Sequence, residues 1–463
     1  MTPPLFTLDA ILAATQGRAS GVTAGDINSI SIDSRELGPD ALFVAIKGGR
    51  FDGHDFVDTA LGNGAVAALV SRGEGAGRIH VHDALGGLRD LARAARQRSR
   101  AFIVGVTGSV GKTTTKEALR VVLEAAGETH ASIKSFNNHW GVPLMLARMP
   151  ETAQFGVFEM GMNAPDEIRP LSQLVRPQVA VITNIAPAHL ERLGSLENIA
   201  RAKAEIFEGI EPGGTAVLNA DHPQINILLE AAAAAGVANV VTYGFARGVD
   251  WQITAPEMTA DRSFATIVHG DQNFALALGA SGRHMLTNAT AALVVAHLAG
   301  IEADVALGAL AGFGAQPGRG QRIALGPSDQ PLLLIDESYN ANTASMRAAL
   351  EVFSAIAAPA GRKIVVLGDM LELGDVADLH HAGLADAVQA SGADKVHLVG
   401  RHMPALTAAL PSSLVASLSP TVEQAMDVVM ADLAYGDAVM VKGSNGVGLS
   451  RIVTEIKSRF SQS

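Results

Sequence analysis

Cysteine is absent from the 463-residue chain, which excludes a disulfide framework and any thiolate metal site. Long apolar runs are missing too. Even the alanine-rich stretch 289–312 is broken by His297, Glu302 and Asp304, so nothing reaches the ~18 uninterrupted apolar residues of a membrane-spanning helix. The start, MTPPLFTLDAILAATQGR, has no basic residue ahead of its short apolar stretch and does not match a signal peptide. Charge of one sign is never concentrated, and a net charge of −11 lacks the basic footprint of a binder of nucleic acid or anionic membrane. The expectation is a cytoplasmic monomer with small-molecule partners, no nucleic acid and no membrane insertion.

What is present is a globular composition, 48% hydrophobic and 17% charged, without low-complexity segments. At roughly 150 residues per domain the length suggests three domains, each able to bury its own core. Residues 1–98 mix short β-type runs at 29–32, 41–46 and 65–70 with glycine-rich turns, then a helical, arginine-rich stretch at 84–99. They read as a small N-terminal α/β domain. From 99 to 316, apolar strand candidates FIVGV (102–106), FGVFE (155–159), VAVITN (179–184) and TAVLN (215–219) alternate with helical patterns, which predicts a parallel, helix-covered sheet. Strand-like alternation at 249–278 reads as an antiparallel insertion. GFGAQPGRGQR (312–322) reads as a hinge. Residues 317–463 repeat the alternation with LLLID (332–336), KIVVLG (363–368), KVHLVG (395–400) and AVMVKG (438–443), predicting a second, doubly wound, Rossmann-like sheet. The fold class is α/β.

The most informative segment is TGSVGKT (107–113), between the 102–106 strand and a helix expected at 114–126. Glycines Gly108 and Gly111 let backbone N–H groups converge on phosphate oxygens at a helix N-terminus. Lys112 supplies a charge to the outer phosphates, and the Thr113 hydroxyl is placed to ligate Mg²⁺. Thr107, Ser109 and Val110 complete the nucleotide loop. The strict pattern G-x-x-x-x-G-K-[ST] puts its first glycine at 106, where this chain has valine.

Magnesium on such a loop needs a carboxylate, and two candidates compete. Asp336, in LLLIDES, has the apolar-run-plus-acid form of a Walker B motif but lies beyond the hinge. Glu159 ends a strand of the loop's own sheet, where strand C-termini converge on ligands, and is preferred. In the helix expected from about 195, Lys203 falls on the apolar stripe of Leu196, Ile199, Ala200, Ile206, Phe207 and Ile210. Either it snorkels, with its ammonium at the edge, or it points into the nucleotide cleft. His189 follows the 179–184 strand as a candidate metal or phosphate contact.

Taken together, TGSVGKTTTKE, EMGMN, HLERLGS with AKAEI, GRHMLTNATAA, GRG and DESYNANTASM resemble, in this order and over the whole chain, the ATP-dependent Mur ligases of peptidoglycan synthesis. The resemblance implies an acid–D-amino-acid ligase using ATP and two Mg²⁺ ions. Lys112 and Thr113 would hold phosphates and metal, with Glu159 and His189 as further metal ligands and Lys203 as a carbamate on the second ion. Asn288 would meet adenine, Arg319 the γ-phosphate and Asp336 the ribose, so that LLLIDES would bring the third domain onto ATP.

Within the family, SIDSREL (30–36), FVAIKGGRFDGHDF (43–56), SYNANTASM (338–346) and VLGDMLELG (366–374) imply UDP-N-acetylmuramoyl-tripeptide and D-alanyl-D-alanine as substrates. Ser34, Arg35, Lys47, Asp52, Gly53 and His54 would hold the UDP-sugar. Tyr339, Asn340, Asn342 and Ser345 would face the dipeptide, and Asn137 and Asn138 would sit in a substrate-side loop. Glu337, Thr343 and Asn445 stand where the family pattern has Asp, Pro and Arg. Another amide ligase of the same architecture, or a mechanical or switch ATPase, are the rival readings.

Overall fold

The computed structural model describes residues 3–23, 25–49, 51–133, 136–187 and 190–461. Its first sheet runs in the order Arg18–Ser20, Arg78–His80, Ala65–Val70, Ala41–Val44, Ser29–Ser31. The two central strands are continuously apolar because helices cover both faces. Helix Ala84–Arg98 follows. Asp83 caps it by accepting the Gly86 N–H at 2.7 Å, and Arg96 and Arg98 complement the dipole in its last turn.

The expectation that each domain buries its own core fails between the first two. One apolar cluster runs from Leu88 and Leu91 of that helix through Leu144 and Leu146 to Ile168 and Leu171. Arg96, 7% exposed, bolts the seam by donating to Val175 O (2.7 Å) and Arg176 O (2.8 Å), and Arg148 donates to Ile30 O at 2.6 Å. The guanidinium groups thus satisfy backbone carbonyls on the far side of the seam.

The nine-stranded central sheet places Phe102–Thr107 between Phe155–Glu159 and Val179–Ile182, all parallel. Chain direction diverges to both sides of Phe102–Thr107, so a crevice opens at the strand C-termini. Strands Thr129–Ala131 and Asn239–Gly244, which the apolar-run reading passes over, extend the parallel part. The insertion forms Trp251–Met258, Ser263–His269 and Gln272–Leu278; its two hairpin pairings are antiparallel as expected.

The third sheet has six strands, five of them parallel, with Leu332–Glu337 next to Ala438–Lys442. The presumed hinge is partly sheet. Gln321–Leu325 pairs antiparallel with Leu332–Glu337 as an edge strand, which the glycine and proline just before it disguised.

Helix Leu196–Ala204 and the turn Glu205–Gly209 seat Lys203. Glu205 fixes this segment to helix Ile168–Val175, its carboxylate accepting from the N–H groups of Asp166, Ile168 and Arg169. A Cβ on Gly209 would lie 2.2 Å from Ser172 backbone. Gly209→Ala is expected to cost on the order of 1–3 kcal/mol, read as a lower urea midpoint at unchanged slope. An unchanged midpoint would show that this contact yields.

Candidate active site

Helix Lys112–Glu124 begins two residues earlier than expected, directly on the phosphate loop. Gly108 (φ 152°) and Gly111 (φ 87°) take backbone conformations closed to most residues. Space is as limiting as conformation, for a Cβ on Gly108 would lie 1.9 Å from Thr183 Oγ1 and one on Gly111 2.6 Å from Asn288 Oδ1. Asn288, 6% exposed on helix Arg283–Leu298, also accepts from Thr115 Oγ1 at 3.2 Å.

First-turn N–H groups of the helix have no intrahelical acceptor, and the Ser109 hydroxyl is buried without a hydrogen-bond partner among the described residues. Such orphans suit phosphate oxygens. Lys112 Nζ donates to Gly108 O at 2.7 Å; burial lowers its pKa, Glu159 opposes that shift and Arg319 adds to it.

The Thr113 hydroxyl ties three regions together. It donates to Glu159 Oε2 at 2.9 Å and accepts from Arg319 Nη2 at 2.9 Å. Glu159, 2% exposed and level with Val106 in the sheet, accepts at its other oxygen from Asn137 Nδ2 (2.9 Å). A threonine hydroxyl and a buried carboxylate are hard oxygen donors, which fits magnesium. His189 lies outside the described residues.

Arg319 also stacks its guanidinium 4.2 Å above the Tyr339 ring. Asp336 does not line the cleft. Its carboxylate accepts from Gly318 N (3.2 Å), Ser338 N (3.1 Å) and Ser338 Oγ (2.7 Å), so it shapes the turn that presents Arg319.

A cleft of about 880 Å³ brings together Ser109–Thr114, Asn137, Asn138, Glu159, Asn288, Arg319, Tyr339, Asn340, Asn342 and Ser345. Asn342 and Ser345 are bound to each other's backbone as a capping box on helix Thr343–Ser354, and Asn138 accepts from Gly141 N at 2.9 Å. Their side chains therefore shape the wall first. A separate recess of about 620 Å³, lined by Arg169, Arg192 and Arg201, contains none of the expected residues.

The residues expected to hold the UDP-sugar are not in this cleft. They form a group on the first sheet: Asp52 Oδ1 lies 2.6 Å from His54 Nδ1 and Arg72 bonds Asp52 Oδ2 at 3.0 Å. The His54 backbone N–H, donating to Asp52 Oδ1 at 3.0 Å, and then these side-chain bonds hold the Asp52 carboxyl well below its usual range. The backbones of Lys47 and Asp52 pair in an isolated antiparallel bridge, and a Cβ on Gly53 would lie 2.7 Å from Ile46 O. Ser34 is buried, its carbonyl accepting from Asn63, whereas exposed Arg35 pairs with Asp33.

Sequence reasoning missed Lys442, 2% exposed, whose Nζ donates to Glu337 Oε2 and Asn340 O, both at 3.1 Å. Its signal was a lysine closing an apolar strand. Arg283, stacked 3.8 Å over the Phe245 ring, also lines the cleft without having been expected.

Lys203 does not snorkel: the residue is 1% exposed. Burial drives its pKa well below the ordinary lysine range, and Lys112 pushes the same way. With the folded pKa below the unfolded ~10.4, the unfolded chain binds more protons between the two, so stability rises with pH there. In CO₂-free buffer Lys203→Met is expected to be more stable than wild type at pH 7, the gap closing as pH nears ~10.4. Parallel pH profiles from denaturant titrations would refute the shift.

Three family models match the chain. The Mur ligase middle domain covers residues 106–296, the Mur ligase, glutamate ligase domain 318–445, and the Mur ligase family, catalytic domain 26–93. The UDP-N-acetylmuramoyl-tripeptide–D-alanyl-D-alanine ligase of Bacillus subtilis is 35% identical over 93% of each chain. A crystal structure of MurF from Acinetobacter baumannii superposes with a TM-score of 0.85 at 29% identity, over 98% of this chain and 99% of that one. MurF ligase from Thermotoga maritima in complex with ADP gives 0.78 at 27% identity, over 94% and 98%. With a relative this similar over nearly its whole length, the chain belongs to the Mur ligase family.

Proposed function

We propose that the protein joins D-alanyl-D-alanine to UDP-N-acetylmuramoyl-tripeptide while cleaving ATP to ADP and phosphate. The observation that carries this reading is the Arg319–Thr113–Glu159 junction, which sets a cation from the third domain on the phosphate loop of the second. This reading divides the chain at 98 and 316. Residues 1–98 hold the UDP-sugar through Ser34, Arg35, Lys47, Asp52, Gly53 and His54, 99–316 bind ATP, and 317–463 present the dipeptide along Tyr339 and Asn340.

The loop N–H groups and Lys112 grip the phosphates, Asn288 faces adenine and Arg319 meets the γ-phosphate. Thr113 and Glu159, with His189, would hold the magnesium ions, which when bound would supply positive charge against that developing in phosphoryl transfer. Asp336 shapes the Gly318 turn that orients Arg319 and would meet the ATP ribose as the domains close.

A peptide carboxylate is a poor electrophile. Attack of its oxygen on the γ-phosphorus releases ADP and leaves an acyl phosphate. The dipeptide's free amine attacks the acyl carbon, a tetrahedral oxyanion forms beside Lys112 and Arg319, and phosphate departs. The amine loses its extra proton in forming the amide. Water would intercept the acyl phosphate, which accounts for a third domain that closes on the site.

Phosphate release is expected to require both co-substrates, with mass spectrometry showing the pentapeptide product. Release without either co-substrate would favour a mechanical or switch ATPase. Lys112→Ala should lower kcat by at least ~10²-fold in a folded protein, as loss of a charge-stabilising donor does; near-normal kcat would refute its role.

Lys203 completes the metal site as a carbamate. Desolvation keeps free amine available for CO₂, and carbamylation turns a cation into an oxygen ligand of the type magnesium prefers. Activity should fall in CO₂-depleted buffer and recover with bicarbonate, and ¹³C-bicarbonate NMR should show a carbamate resonance missing from Lys203→Ala. Indifference to bicarbonate with no such resonance would rule the carbamate out.

A further inference from the structure

Two runs of hydrogen bonds meet at Ser444, a 5%-exposed residue just past strand Ala438–Lys442. Its hydroxyl donates to Ala341 O at 3.2 Å and accepts from Leu371 N at 3.0 Å, while its N–H donates to Asp369 O at 3.0 Å. Ala341 belongs to the 339–342 loop, the wall of the cleft beside Tyr339, and Lys442 holds the adjacent carbonyl of Asn340.

The other run leaves the domain. Glu372 sits in the left-handed region at φ 65°, and its carbonyl accepts from Glu191 N at 3.3 Å in helix Leu190–Leu193 of the central domain. Gly374 (φ 61°) closes against the same residue, where a Cβ would lie 3.3 Å from the Glu191 side chain. Loop 369–374 is therefore where the third domain touches the segment just after His189. Its near end is anchored by Asp369, whose carboxylate accepts from Arg401 N (2.7 Å) and His402 N (3.1 Å).

We infer that Ser444 is a positioning residue that ties the seating of the dipeptide against 339–342 to the docking of the third domain on Leu190–Leu193. The inference rests on the function proposed above. A hydroxyl has one proton. Ser444 satisfies both Ala341 O and Leu371 N in a single arrangement, and at 5% exposure breaking either bond leaves a buried group poorly compensated. Movement of the dipeptide loop is thereby passed to Leu371 and the contact beyond it, while Asp369 holds the near end still. Dipeptide binding and closure over the nucleotide become coupled, and the coupling is reciprocal.

The test is calorimetric titration of a non-hydrolysable ATP analogue with UDP-N-acetylmuramoyl-tripeptide present, with and without D-alanyl-D-alanine. In wild type the dipeptide should tighten the analogue by about 5-fold or more. Ser444→Ala should bring that ratio below about 2-fold, whereas Ser444→Thr, which keeps the hydroxyl, should retain it. General damage would weaken each ligand without erasing the ratio.

Gly374→Ala, which leaves Ser444 in place and presses on Glu191, should also lower the ratio, and it serves if Ser444→Ala does not fold. No tightening in wild type, or a wild-type ratio in Ser444→Ala or Gly374→Ala, overturns the inference. Failure of wild type to bind either ligand would overturn the proposed function with it; both binding with an unaltered ratio sinks the relay alone.

Discussion

One oxygen atom, the hydroxyl of Thr113, joins the parts of this site. It donates to a carboxylate and accepts from a guanidinium, so its single proton is committed and its orientation fixed. Each partner depends on a different level of structure. Glu159 is in reach because its strand neighbours Phe102–Thr107 in the sheet. Arg319 is in reach because the Gly318 turn is drawn onto Asp336 and because the Tyr339 ring supports the guanidinium. The order of strands, a turn in another domain and a stacked aromatic ring are all needed to place charges around one side chain.

Three buried lysines show how the same residue type serves different ends. Lys116 donates to Ser132 O at 2.7 Å and pairs with Glu117 at 2.8 Å, so its charge is matched locally. Lys442 is matched by Glu337 and a backbone carbonyl. Lys203 accepts from Glu205 N at its carbonyl, but its Nζ has no hydrogen bond among the described residues. Glu205, the carboxylate that offsets its charge, is already occupied by three backbone N–H groups. Burying a cation with so little compensation is costly. That imbalance sets Lys203 apart from Lys116 and Lys442, whose charges are matched where they lie.

Much of this was legible in the sequence. Strands such as 155–159 and 215–219 announce themselves because both faces of a parallel sheet are covered, which demands unbroken apolar runs. The phosphate loop reads directly, since its glycines are demanded by backbone conformation and space together. Features that depend on partners far along the chain did not read. Gln321–Leu325 is strand because Leu332–Glu337 lies beside it, and its first two residues, Gln321 and Arg322, carry no strand signal of their own. Asp336 resembled a ligand-facing acid, yet the carboxylate turns towards the Gly318 backbone, a direction no one-dimensional pattern encodes. Lys442 could be seen as unusual, but its role needed Glu337 opposite it in register.

The contact between Gly111 and Asn288 has a bearing on how such a sequence can change over generations. Asn288 fills the volume that any side chain at 111 would need, and helix Arg283–Leu298, buried along most of its length, leaves no slack behind it. A mutation at either position alone meets a wall: enlarging 111 is blocked by the amide, and shrinking 288 opens a void beside the loop and strands the Thr115 hydroxyl. Nor would shrinking 288 free 111, whose φ of 87° still bars a side chain, so each position is held by its own constraint. Two codons far apart in the gene are thus both held fixed at one point in space.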